Sequence, residues 1–276
     1  RLRNDDDIEI WMTQDVYTAY EFLDTDRAQT PNVTAKDGSP IDNPLKDLRV
    51  REAMSLAINR EAIIDRLLQG LAKPAGQLAG PTMVGFNAEL EPTPFDPDRA
   101  KQLLAEAGYS DGFKLTLHGP NNRYVADGQI VQAIAQMWNR IGIEADVETM
   151  PANVFFPSAS GRECSVFFLA WGSAQGTAWH GLRGVLMTYD KELGYGPSNR
   201  GRYSNPEVDR LTLAAMSTFD VDEAGRLAAE AAGLAFRDFA ILPMHYQMKV
   251  WASREGFEHR PRQDQMTLAI GLSRAE

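Results

Sequence analysis

Cysteine is nearly absent. Cys164, alone among 276 residues, cannot close an internal disulfide, and it has no second thiol with which to hold a metal. Histidine is scarce too: His118, His180, His245 and His259 are the only four, and none stands at metal-ligand spacing from another His or from Cys164. No apolar run approaches the about 20 residues that a membrane-spanning helix needs. No N-terminal targeting pattern is present, and the chain opens on Arg1-Leu2-Arg3-Asn4 without a Met, so a processed or truncated chain is expected. Positive charge is in deficit. Lys and Arg number 28 against 38 Asp and Glu, a net charge of −10, which argues against a nucleic-acid backbone or an anionic membrane surface as main partner. Catalytic motifs are missing as well. Gly172-Ser173-Ala174-Gln175-Gly176 puts its Ser one place too early for a nucleophile elbow. Neither standard Gly-rich phosphate loop occurs. Cys164 has nothing nearby to lower its pKa and precedes an apolar run, the setting of a small buried apolar residue.

What is present is an ordinary globular composition, 43% hydrophobic and 24% charged, long enough for one large domain or two small ones. The chain is organised around residues 166–171, Val-Phe-Phe-Leu-Ala-Trp, which run straight into Gly172. Such a bounded apolar run predicts a strand buried on both faces. The small residues and amides that follow, with Trp171 at one end and Trp179 at the other, predict a loop at the carboxyl end of that strand. Ligands of open α/β sheets sit there. The plainer alternative is an ordinary turn with Trp171 in the core.

The flanking pattern agrees with an α/β protein. Residues 8–20 predict a strand or extended crossing segment, and residues 25–43 a surface loop. Asp47 and Asn59 can each cap a helix, the second stopped by Gly70. Seven Pro and Gly between residues 71 and 95 predict a long extended loop. Asp96-Pro97 starts a helix that Gly108 ends. Residues 113–118 alternate, residues 119–124 form a polar loop, Ile130 to Ile141 mark one helical face, and residues 143–149 alternate again. That order predicts a right-handed βαβ crossover. If the 166–171 strand lies parallel in the same sheet, its loop and the 119–124 loop open on one edge. Residues 181–202 look irregular; Asn205-Pro206 and Asp220-x-x-Glu223 each open a helix. Residues 239–251 enclose Pro243 and predict an extended, bent segment that is not a regular central strand. A polar tail ends on the apolar run 266–272.

The ordered set of motifs resembles the C-terminal half of the family 5 extracellular solute-binding proteins, the peptide- and nickel-type receptors of bacterial ABC importers. The resemblance rests on Asp47-Leu-Arg-Val-Arg-Glu-Ala-Met-Ser-Leu-Ala-Ile-Asn-Arg60, Phe95-Asp-Pro-Asp-Arg-Ala-Lys-Gln-Leu-Leu-Ala-Glu-Ala-Gly108, the Ile141-Gly142-Ile143 turn, Ala170-Trp171-Gly172, Tyr203-Ser-Asn-Pro-Glu-Val-Asp209 and Ile241-Leu242-Pro243. It implies an α/β (α+β) fold, periplasmic binding protein type II-like, with a mixed sheet flanked by helices. Residues 1–29 would be a crossing strand and remnant of a first lobe, 30–245 the second, ligand-binding lobe, and 246–276 the return strand and a further remnant of the first lobe; the rest of the first lobe and a secretion signal would be missing. The implied role is capture of a small solute between two lobes by a periplasmic or extracellular monomer. It would work with the permease subunits of an importer, without a cofactor and without catalysis.

Peptide-binding members resemble one another in an Asp shortly after the strand-end Trp, where it meets a peptide's amino terminus. No acidic residue occurs from Gly172 through Tyr189 here, whereas Arg183, Arg200 and Arg202 follow and Arg123 lies on the neighbouring loop. A ligand with an anionic group is therefore expected, contacted by Arg202 or Arg123 and stacked on Trp171 or Tyr203. The expected ligand-binding set is Trp171, Gly172, Ser173, Gln175, Trp179, Asn121, Asn122, Arg123, Tyr124, Arg202 and Tyr203. Two other readings stay open: a hydrolase or transferase acting on peptide-like metabolites, and a nickel or metal-chelate receptor using His180.

Overall fold

The computed structural model describes residues 5–275. In chain order the elements are β1 (Ile8–Leu23), β2 (Val33–Thr34), a 3-10 turn (Pro44–Lys46), α1 (Leu48–Leu56), α2 (Arg60–Leu67), β3 (Ala72–Pro74), α3 (Pro97–Glu106), β4 (Lys114–Pro120), α4 (Asp127–Arg140), β5 (Glu144–Met150), α5 (Ala152–Ser160), β6 (Val166–Gly172), α6 (Ala178–Gly181) running into a π-helical turn (Leu182–Leu186), α7 (Pro206–Ser217), α8 (Val221–Arg237) and β7 (Ile241–Arg254). A small hairpin of β8 (Phe257–His259) and β9 (Leu272–Arg274) follows. The helix starts are set by local chemistry. The side chains of Asp47, Asn59, Asp96, Asn205 and Asp220 accept from the otherwise orphaned N–H groups of Arg49, Ala62, Arg99, Glu207 and Asp222. Pro97 and Pro206 stand at first helical positions.

The sheet is mixed. β4 and β5 lie parallel with α4 between them, β6 lies parallel to the other edge of β4, and β1 runs antiparallel to β6 and to β7. Helices cover both faces. Leu115, Leu117, Val166 and Phe168 pack with apolar residues of α1 to α4, while Tyr20, Phe22, Phe167 and Leu169 pack with those of α5 to α8. Alternate residues of β6 thus enter opposite cores, which is why its sequence is apolar without interruption.

Three stretches depart from the sequence pattern. Residues 239–251 are extended as expected, but they carry β7, a strand of the sheet between β1 and β3; this corrects the expectation that they form no regular inner strand. Pro243 is tolerated because the register shifts beside it, between Ala19↔His245 and Tyr20↔Pro243. The nine residues of α5 form a helix despite Pro157, because Phe155 and Ala159 are buried on the second core. Residues 178–186 are helical, so the loop after β6 ends at Thr177, and Trp179 and His180 stand on α6.

Pairing of β1 with β7 continues past the last β1–β6 pair, Tyr17↔Gly172, out to Ile8↔Arg254. At the point of departure the register breaks: three residues, Asp15, Val16 and Tyr17, span the interval that Gln247 alone spans on β7. This wide bulge re-aims side chains at the carboxyl end of β6.

Candidate functional site

The carboxyl ends of β4 and β6 meet. The phenol of Tyr124 donates to the carbonyl of Ala170 at 3.4 Å, and its ring stands edge-on to Phe168 at 6.0 Å. The two polar loops therefore sit side by side. The first is held by the buried carboxylate of Asp127, which accepts from the N–H groups of Arg123 (2.8 Å) and Tyr124 (2.9 Å). Asn122 is a brace: its Oδ1 accepts from the N–H of Ala152 at 2.8 Å and caps α5. The N–H of Asn121 bonds the carbonyl of Met150, which leaves its side chain exposed. The Arg123 guanidinium lies 5.1 Å from the Tyr124 ring centre and 6.0 Å from that of Tyr17, and makes no ion pair among the described residues. Tyr17 in turn covers Gly172. A Cβ there would fall 2.8 Å from the Tyr17 ring, so a larger residue would displace that ring.

On the other face of the sheet Trp171 lies across two glycines of the following helix. A Cβ on Gly184 would come within 2.7 Å of the indole, and one on Gly181 within 3.5 Å. His180 packs on Trp171 with ring centres 5.2 Å apart. Burial, reinforced by the Arg183 guanidinium, lowers the His180 pKa, so its imidazole is neutral. The buried Trp171 Nε1, His180 Nδ1 and Thr177 Oγ1 find no hydrogen-bond partner among the described residues. Ser173 is buried; its N–H donates to the carbonyl of Val16 (3.2 Å) and its hydroxyl to that of Thr177 (3.1 Å), while Gln175 stands exposed at the loop tip. Residues of the 71–95 segment strap this loop: Val84 donates to Gly176 and accepts from Ala178.

Two concavities flank the β1 bulge. One, of about 530 Å³, is lined by Val16, Met83, Ser173, Gly176, Arg262 and Asp264 among others. The second, of about 320 Å³, is lined by Tyr17, Arg123, Tyr124, Gln247, Lys249 and Gln265. Of the expected ligand-binding residues, Arg123 and Tyr124 line the smaller concavity and Ser173 the larger; Tyr17, Gln247, Lys249 and Gln265, which also line the smaller one, and Asp15 behind it lie outside the expected set and arrive from both ends of the chain.

Arg202 and Tyr203, expected to contact the ligand together with Arg123 and Trp171, are not brought to these two loops. Gly201 accepts from Thr25 and abuts Leu23, the partner of Val166, so both residues lie at the amino end of β6. There Tyr203 is buried and donates to Asp238 at 2.6 Å, and Arg202 stacks on Tyr189 at 3.6 Å. Trp179 is half-buried against the second core. Among the described residues no group of three or more His, Cys, Asp or Glu could hold a metal ion, and the charged neighbour of His180 is a cation.

Comparison with known proteins agrees with this architecture. The model described as bacterial extracellular solute-binding proteins, family 5 Middle, matches residues 2–191. The glutathione-binding protein GsiB of Salmonella paratyphi A is 33% identical over 220 residues, covering 77% of this chain and 40% of its own length. The chain thus spans less than half of the curated relatives it matches. HbpA2 from Haemophilus parasuis superposes with a TM-score of 0.84 at 20% identity, over 100% of this chain and 51% of that one. The periplasmic binding protein DppA from Helicobacter pylori, in complex with the peptide STSA, gives 0.78 at 20% identity over 93% and 46%. Among the described residues no helix is long and apolar enough to cross a membrane. The fold is that of type II-like periplasmic binding proteins, and the chain belongs to the bacterial extracellular solute-binding proteins of family 5.

Proposed function

We propose that this chain supplies the ligand-binding lobe of a receptor that delivers a small, anionic, peptide-like solute to the permease subunits of an ABC importer. The observation that carries the reading is Arg123: a guanidinium without an ion pair, set over Tyr17 and Tyr124 where two polar loops share one sheet edge. A guanidinium fork in that setting suits a carboxylate. Residues 30–245 are the lobe itself. β1 and β7 are the strands that cross to a first lobe, and the bulge at Asp15–Val16–Tyr17 is where closure bends them. Trp171, Gly172, Ser173, Gln175 and Asn121 form the rim against which a closing lobe traps the solute. The receptor acts as a monomer outside the cytoplasmic membrane, without cofactor or turnover.

Glutathione is the first candidate ligand. The curated relatives at about a third identity are named for binding it, and it brings two carboxylates to an edge that has no acidic residue from Gly172 through Tyr189. Calorimetric titration of the full-length protein with glutathione, a neutral tripeptide and a nickel–histidine complex tests this. One glutathione bound per protein and recovered intact is expected. Chemical alteration of the ligand would turn the reading toward a hydrolase or transferase, and preference for the nickel complex would overturn the anionic-peptide assignment.

A further inference from the structure

The smaller recess beside the bulge has a charge pattern more specific than a site for any anion. Asp15 is only 3% exposed. Both its oxygens accept from Gln265 Nε2 at 2.8 Å, and Oδ2 lies 3.5 Å from Gln247 Nε2; no cation pairs with it among the described residues. An amide that turns its N–H to a carboxylate presents its carbonyl elsewhere. Gln247 Oε1 and Gln265 Oε1 are therefore the acceptors left over, and both residues line the recess. Lys249 and Arg123 line it as well, neither in an ion pair among the described residues, together with the rings of Tyr17 and Tyr124. One small space is thus lined by two cationic residues, two glutamines whose Nε2 groups face the buried Asp15 carboxyl, and two tyrosines.

We propose that this recess reads a free α-amino-acid head group, with the carboxylate taken by Arg123 and Lys249 and the neighbouring ammonium by Gln247 Oε1 and Gln265 Oε1 in the field of Asp15. The proposal rests on the receptor reading above and narrows its ligand class. The amino terminus of an ordinary peptide offers an ammonium without a carboxylate on the same carbon, and the carboxyl terminus the reverse. A glutamyl residue linked through its side chain offers both. Asp15 is a positioning residue, since it acts through the two amides.

γ-Glutamylglycine and α-glutamylglycine have one composition and one net charge, so their comparison isolates the head group. Calorimetry on the full-length protein is expected to show the γ-isomer binding at least tenfold tighter, with the preference lost in Asp15→Asn, whose own amide group can turn Gln247 and Gln265 around. Lys249→Gln, on a half-exposed strand position, is expected to weaken the γ-isomer about tenfold and serves should Asp15→Asn fail to fold. Equal affinities for the two isomers, binding of neither dipeptide by a protein that binds the peptides of the preceding panel, or a preference unchanged in Lys249→Gln would overturn the head-group assignment while leaving the receptor reading intact. A protein that binds nothing in either panel would remove the receptor reading itself.

Discussion

The two ends of β6 carry similar residues put to opposite use. At its amino end arginines, acids and a tyrosine are matched to one another. Asp24 accepts from Thr30 (2.6 Å), the N–H of Asp26 (3.1 Å), Arg162 (3.2 Å) and Arg27, while Tyr203 and Asn205 both donate to Asp238. At the carboxyl end Arg123 and Lys249 have no acid among the described residues. Charge satisfied within the protein holds the fold together. Charge and hydrogen-bonding capacity left open at a concave edge are available to something else.

The sharpest test of that contrast is Asp24→Ala. Its side chain is 2% exposed, and its removal leaves Arg27 without its acid and Arg162 with Asp26 alone. A loss of about 3 kcal/mol in urea unfolding is expected, as for breaking a largely buried pair, with ligand affinity unchanged in whatever fraction folds. The pH dependence has a definite sign. Burial alone would raise the Asp24 pKa, but the bonds from Thr30, Arg27 and the Asp26 N–H outweigh it and hold the carboxyl below its usual value. Its stabilisation is therefore present above about pH 4 and is lost as pH falls through the folded value. His245, in the middle of the sheet, acts in a separate window. Burial pushes it down to about 4, so stability falls as pH drops from about 6.5 toward 4 while only the unfolded chain takes up the proton. His245→Phe should flatten that slope and leave the Asp24 step in place.

Arg123→Ala comes next and should show the mirror image. The guanidinium touches only aromatic faces, so stability should change by less than about 0.5 kcal/mol. Affinity for the anionic ligand should fall about 10- to 100-fold, the worth of one or two charge-assisted hydrogen bonds. A large loss of stability with affinity intact would make Arg123 a structural residue like those at the other end. Gly184→Ala probes the same end through packing. Its Cβ would stand 2.7 Å from the Trp171 indole, so the ring must shift, at a cost of about 1–3 kcal/mol. A change in Trp fluorescence should accompany the loss, and wild-type stability in this variant would mean that the indole is free to move.

Much of the architecture was legible in the sequence because its signals are local. Asp47, Asn59, Asp96-Pro97, Asn205-Pro206 and Asp220 start helices by bonds made within three residues. The βαβ unit announces itself by a change of period. β7 and α5 were hidden because tertiary packing overrides proline: a register shift accommodates Pro243, and a buried face holds Pro157 in a helix. In the candidate site the pairing of Asp15 with Gln265 was not legible, since the two meet across 250 positions with no local mark of the contact.

Arg202 shows why local pattern cannot rank candidates. It precedes a tyrosine as Arg123 does, and by composition the two are equivalent. Their difference lies in where the chain has travelled: by residue 201 it has returned to the far end of the sheet, against Leu23. Arg202 donates to the carbonyl of Asn199 and stacks on Tyr189, and burial together with nearby Arg162 lowers its pKa. Arg202→Ala should therefore leave ligand affinity within twofold and cost about 1 kcal/mol of stability, the scale of one cation–π contact on an exposed ring. Calorimetry and urea unfolding on the same sample decide it. A tenfold fall in affinity without loss of stability would mean that the ligand reaches both ends of β6, and the division between a bonded end and a receptive end would fail.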